Sequence, residues 1–144
     1  MTEMKNWRDS VKVVRSASVE ELLHGPAGTG RVTAFDFAGT GGERTWIGRV
    51  SLKAGAKTDA HHHGRHEVMV YIIGGHSEIR WGDRLEFVTE VAAGDLVYFS
   101  PDVPHQELNL STIETVEFLV VRSDNEKIVF NLDTTPVEHP ERVC

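Results

Sequence analysis

The sequence predicts an all-β protein, an antiparallel sandwich or barrel, with one short helix near its N-terminus. Three observations carry this. Nine segments are rich in Val, Ile, Thr, Tyr and Phe and are bounded by Gly, Asp, Asn, Ser or Pro. They follow one another at short, regular intervals, as strands do in sandwiches and barrels. A clear helix-start signal occurs once, at Ser18-Val19-Glu20-Glu21, before the first of those segments.

In chain order, residues 1–30 read as an N-terminal arm. Ser18 and Glu21 form a capping box, Leu22 and Leu23 follow, and Gly25-Pro26 ends the element, so a helix is expected near 18–24. Residues 31–135 read as the β domain. Its strands are expected at Arg31–Phe37, Arg44–Leu52, Glu67–Ile73, Ser77–Trp81, Leu85–Val91, Asp95–Phe99, Gln106–Leu110, Thr115–Arg122 and Lys127–Leu132. Gly74-Gly75 and Gly82-Asp83 suit two-residue hairpin turns. Pro101 and Pro104 stiffen a loop, since proline cannot donate to a ladder. The tail, residues 136–144, is expected to be mobile or packed on a partner.

The totals narrow the function. A chain of 144 residues is one domain with room for a proper core. Fifteen basic against 22 acidic residues give a net charge of −7, which leaves no electrostatic footprint for nucleic acid or an anionic membrane. One cysteine, Cys144, makes no internal disulfide and fits a reducing compartment. Met1–Ser10 lacks the apolar core of a signal peptide, and no apolar run is long enough for a bilayer. A cytoplasmic location is the expectation.

The densest chemistry lies at His61-His62-His63-Gly64-Arg65-His66-Glu67, where four of the eight histidines fall within six positions. Imidazole nitrogen and carboxylate oxygen are the ligands divalent transition metals prefer. Side chains alternate faces along a strand. His61 and His63 therefore share a face, and Glu67 has the same parity after the Gly64-Arg65 bend. Met69, Tyr71 and Ile73 continue it, so an apolar wall is expected beyond the carboxylate. His62 and His66 have the opposite parity and are expected to point away. His66 rivals Glu67 if the bend rotates the strand. His105, which opens a strand after the Pro101–Pro104 turn, could add a third nitrogen from across the sheet.

These residues resemble the cupin family. Its first motif, G-x5-H-x-H-x3or4-E-x6-G, is matched by Gly55, His61, His63, Glu67 and Gly74. Its second, G-x5-P-x-G-x2-H-x3-N, is matched by Gly94, His105 and Asn109, with Ser100 and Asp102 in place of the proline and glycine. The resemblance implies a cupin double-stranded β-helix over roughly residues 45–125. It implies one divalent transition metal per subunit, held by His61, His63, Glu67 and His105. The donor set admits zinc as well as iron, manganese or nickel.

Glu107 shares parity with His105 and Asn109. On a regular strand it points inward as a candidate general acid or base; a bulge would turn it to solvent. Tyr71 is a second candidate catalytic group, with packing as its plainer role. Trp46, Val50, Leu52, Met69, Ile73, Phe99, Phe118 and Val120 are expected wall or core residues. Those of them that are Trp, Phe or Met suit an apolar or aromatic substrate. Glu67–Ile73 and Thr115–Arg122 are apolar on both parities, which favours a homodimer.

Three functions fit these features. The first is a non-redox, metal-dependent cyclase, isomerase or lyase acting on a small carbonyl or enol substrate, compatible with the cupin-type aromatic polyketide cyclases. The second is a cupin dioxygenase using Fe(II). The third is a non-catalytic module that binds metal or a small ligand.

Overall fold

The computed structural model describes residues 6–15, 22–23, 27–35, 44–123 and 129–144. Every regular element among them is a strand. These are β1 (Leu22–Leu23), β2 (Thr29–Phe35), β3 (Trp46–Leu52), β4 (His61–His62), β5 (Val68–Gly74) and β6 (His76–Trp81). The others are β7 (Phe87–Ala92), β8 (Leu96–Phe99), β9 (His105–Leu108), β10 (Val116–Arg122), β11 (Phe130–Asn131) and β12 (Glu141–Arg142). Two six-stranded sheets result, in the orders β1-β2-β3-β10-β5-β8 and β11-β4-β9-β6-β7-β12. Neighbours are antiparallel except β12, which runs parallel to β7. Among the described residues, no helix is long and apolar enough to cross a membrane.

The core lies between the two sheets. Leu52, Val68, Val70, Ile72, Val116 and Phe118 come from the first sheet, and Ile79 and Val91 from the second. In β5 burial alternates strictly: Val68, Val70 and Ile72 are buried, while Met69, Tyr71 and Ile73 are exposed. This reverses the expected parity of that strand. The bend explains it. Gly64 takes φ 57°, and His66 N–H closes a turn onto the His63 carbonyl at 3.2 Å. The turn resets the phase, so even-numbered side chains enter the core from His66 onward. Met69 and Ile73 are therefore not wall residues. Trp46, Leu52, Phe99 and Phe118 are buried, with Val50 and Val120 partly so.

Three further expectations change. The helix near 18–24 falls mostly outside the described residues, but Leu22–Leu23 is a strand paired with Gly30 and Arg31. Gly74-Gly75 does not close a hairpin. β5 and β6 belong to different sheets, so this turn carries the chain across the sandwich. Gly75 has φ 84°, and a Cβ there would stand 2.7 Å from the Thr115 carbonyl oxygen, so both conformation and space demand glycine. The tail docks on its own chain. Val137, Glu141 and Val143 N–H donate to the carbonyls of Arg84, Glu86 and Val88, which covers the edge of β7. Gly82-Asp83 does lie in a hairpin, between the paired strands β6 and β7.

Candidate metal centre

Sheet register assembles the site. His61 on β4 lies opposite His105 on β9, His105 opposite Trp81 on β6, and Trp81 opposite Phe87 on β7. Directly opposed residues share a face, so one row across four strands carries two imidazoles and then two aromatic rings. His63 leaves the end of β4 and turns back toward them. The ring centroids are 4.3 Å apart for His61–His105, 4.9 Å for His61–His63 and 5.3 Å for His63–His105. One nitrogen from each of the three lies within 4.8 Å of the others, the spacing expected around a single ion.

Hydrogen bonding sorts the ring nitrogens. His61 Nδ1 lies 2.6 Å from the Asp59 carbonyl, and His105 Nδ1 lies 3.0 Å from that of Val103. A carbonyl only accepts, so each Nδ1 carries the proton and each Nε2 keeps its lone pair. Burial pushes the His105 imidazole below its ordinary value; the Glu107 carboxylate opposes this and His61 adds to it. A neutral ring is the ligating form. His105 Nε2 is buried and has no hydrogen-bond partner. That leaves an orphaned acceptor beside two other imidazoles, and an ion would satisfy it. Backbone carbonyls on the far ring nitrogens are the usual second-sphere supports of metal-bound histidines. The residues present therefore fit a divalent transition metal.

Glu67 is not in this cluster. Its side chain is exposed beside β8 of the other sheet, where Oε2 accepts a 2.6 Å hydrogen bond from the Tyr98 hydroxyl. That bond raises the Tyr98 pKa, with slight burial and the Glu67 charge acting the same way. His66 is the residue turned inward. It is 1 % exposed, and neither ring nitrogen has a hydrogen-bond partner. His62 faces away, accepting from Gly64 N–H at 3.0 Å and stacking on Phe130 at 4.9 Å. Tyr71, on the exposed parity of β5, stands off the site.

Glu107 reaches the site. Its Oε1 lies 3.6 Å from His105 Nε2, and its side chain is only 15 % exposed. Burial alone would raise its pKa. The neighbouring His105 and His61 rings, the Thr58 hydroxyl and its own backbone N–H outweigh that and hold it below the usual carboxylate value. Phe99 stacks on His105 at 4.2 Å, and Trp81 lies 5.9 Å from Phe87. The loop before His105 explains the motif departures. Asp102 adopts φ 64°, the left-handed conformation the family motif meets with glycine and aspartate tolerates. Asp102 N–H then donates to the Gly64 carbonyl at 2.7 Å, which ties the two motif turns together. Thr58, Trp81 and Phe87 were not legible as site residues. Thr58 meets Glu107 across 49 residues of sequence, and only sheet pairing brings them together.

The cupin-domain family profile matches residues 48–122, rather more than half of the chain, and the chain belongs to that family. Similar solved structures include the polyketide cyclase RemF from Streptomyces resistomycificus. It is 21 % identical with a TM-score of 0.73, covering 87 % of each chain. A deletion mutant of Bacillus subtilis oxalate decarboxylase is 23 % identical with a TM-score of 0.66, over 81 % of this chain and 30 % of that one. An uncharacterised double-stranded β-helix protein from Klebsiella pneumoniae is 16 % identical with a TM-score of 0.62, over 93 % of this chain and all of that one. At these identities the likeness shows the fold. No curated protein matches the sequence.

Proposed function

We propose that this cupin is a metal-dependent enzyme that cyclises or isomerises a small apolar or aromatic carbonyl or enol substrate without redox chemistry. One observation carries the reading: three imidazoles, each with a nitrogen within 4.8 Å of the others, converge beside a hydrogen-bonded carboxylate and an aromatic wall. His61, His63 and His105 would hold the ion. Among the described residues only these three bring ligand atoms within 4.8 Å of one another, while Glu67 is committed to Tyr98, so the proposed donor set is three imidazoles. A bound dication would polarise a carbonyl or enolate oxygen and lower the pKa of bound water.

The chain's own groups then divide the work. Phe99, Trp81 and Phe87 offer flat apolar surface that orients a planar substrate and excludes water. Glu107, held by the Thr58 hydroxyl beside the three histidines, is placed to take a proton from an acidic C–H or O–H and return it elsewhere, as aldol-type ring closure or isomerisation requires. The same fold and nearly full mutual coverage in a polyketide cyclase support this choice of chemistry.

Metal analysis and oxygen uptake with enolisable aromatic polyketide analogues form the test. Turnover without oxygen consumption is expected, and Glu107→Gln should slow it by about 100-fold or more while metal stays bound. Oxygen uptake in step with turnover would replace this reading with a dioxygenase. A bound ion with no turnover of any such substrate would favour a binding module.

A further inference from the structure

Thr58 holds Glu107 from both ends. Thr58 N–H donates to the Glu107 carbonyl at 3.0 Å, and Glu107 N–H donates to Thr58 Oγ1 at 3.0 Å. The Thr58 hydroxyl lies 3.0 Å from Glu107 Oε2, and Gln106 Nε2 donates to the Thr58 carbonyl at 2.8 Å. A hydroxyl has one proton. Since Oγ1 already accepts from a backbone N–H, its proton is committed to Oε2. The β-branched side chain is stiff at χ1, which keeps that hydroxyl in place.

The consequence falls on the other oxygen. Oε1 is 3.6 Å from His105 Nε2, too far for a direct hydrogen bond yet close enough to reach an ion by a small rotation. Carboxylates ligate divalent metals readily. A carboxylate drawn onto an ion would give up the basicity that proton transfer needs.

We infer that Thr58 is a positioning residue whose hydroxyl latches one Glu107 oxygen, keeping the carboxylate beside the three-histidine centre instead of within its ligand set. The latch rests on the metal reading above. It makes that reading more specific: Glu107 stays outside the coordination sphere because a residue far away in sequence holds it there.

Co(II) added to metal-free protein tests the latch, because its visible bands report ligand number and type. Wild type should bind one Co(II) per chain. Thr58→Val and Thr58→Ala should each shift those bands and tighten the apparent Kd as Glu107 swings in and adds a ligand. Thr58→Ser should restore the wild-type spectrum, and so should Glu107→Gln added to Thr58→Val. Wild-type bands and affinity in a hydroxyl-less variant would overturn the latch. So would a spectral change that survives Glu107→Gln, since the effect would then not run through Glu107. Failure of the wild type to bind Co(II) is a separate result, and it would overturn the metal reading itself.

Discussion

One tight turn decides which side chains near the histidines face inward. Counting parity through Gly64-Arg65 places Glu67 beside His63, whereas the turn at His63–His66 flips the phase and buries His66. Spacing made His61, His63 and His105 legible because sheet register sets His61 opposite His105 and His63 follows two residues after His61. It misplaced Glu67, Met69 and Tyr71 because a motif records position and not the rotation of a bend. The Tyr98–Glu67 bond gives an independent check. Ionising the phenol would set two negative charges 2.6 Å apart, so Tyr98 should keep its proton to a pH above the ordinary value of about 10. Ultraviolet titration in a Tyr71→Phe background should show this. Glu67→Gln, which removes the negative charge and weakens the acceptor, should bring the midpoint down. An unchanged midpoint would mean that the bond does not form in solution.

Strands were the most legible elements, because their apolar runs and flanking turn residues are local. The expected Thr115–Arg122 and the observed Val116–Arg122 differ by one residue. Connectivity was less legible. Gly74-Gly75 looks like a hairpin, yet sheet exchange at that point depends on β10 filling the place beside β5. At Leu22–Leu23 a local helix signal gave way to pairing with β2, which no local signal encodes. The sheet-crossing turn predicts a contrast between two glycines. Gly75→Ala meets both positive φ and the Thr115 carbonyl, so it should cost about 2 kcal/mol or more in urea unfolding. Gly55→Ala has φ 75° but open space, so it should cost only about 1 kcal/mol. Equal losses would contradict the crowding at Gly75. The tail was expected to be mobile or packed on a partner, and instead it pairs with β7 of its own chain.

The two sheets are not equally finished on the outside. Met69, Tyr71, Ile73, Leu96 and Tyr98 stand exposed on the outer face of β5 and β8, Leu96 at 79 %. An apolar face of that kind is what a partner surface covers, and we propose that a second copy does so. Sedimentation should give twice the 16.1 kDa chain mass, and Leu96→Glu should return it to the monomer. A monomeric wild type would contradict the dimer and leave the site untouched. On the inner face the three histidines, Glu107 and the aromatic wall were drawn from strands far apart in sequence. Equilibrium binding of Zn(II) to wild type and single-site variants probes that arrangement most directly. One ion per chain should bind, His61→Ala and His105→Ala should weaken it by about 100-fold or more, and Glu67→Ala should leave it unchanged. A wild type that binds no ion, or a Glu67→Ala variant that loses metal as His105→Ala does, would contradict the centre described here.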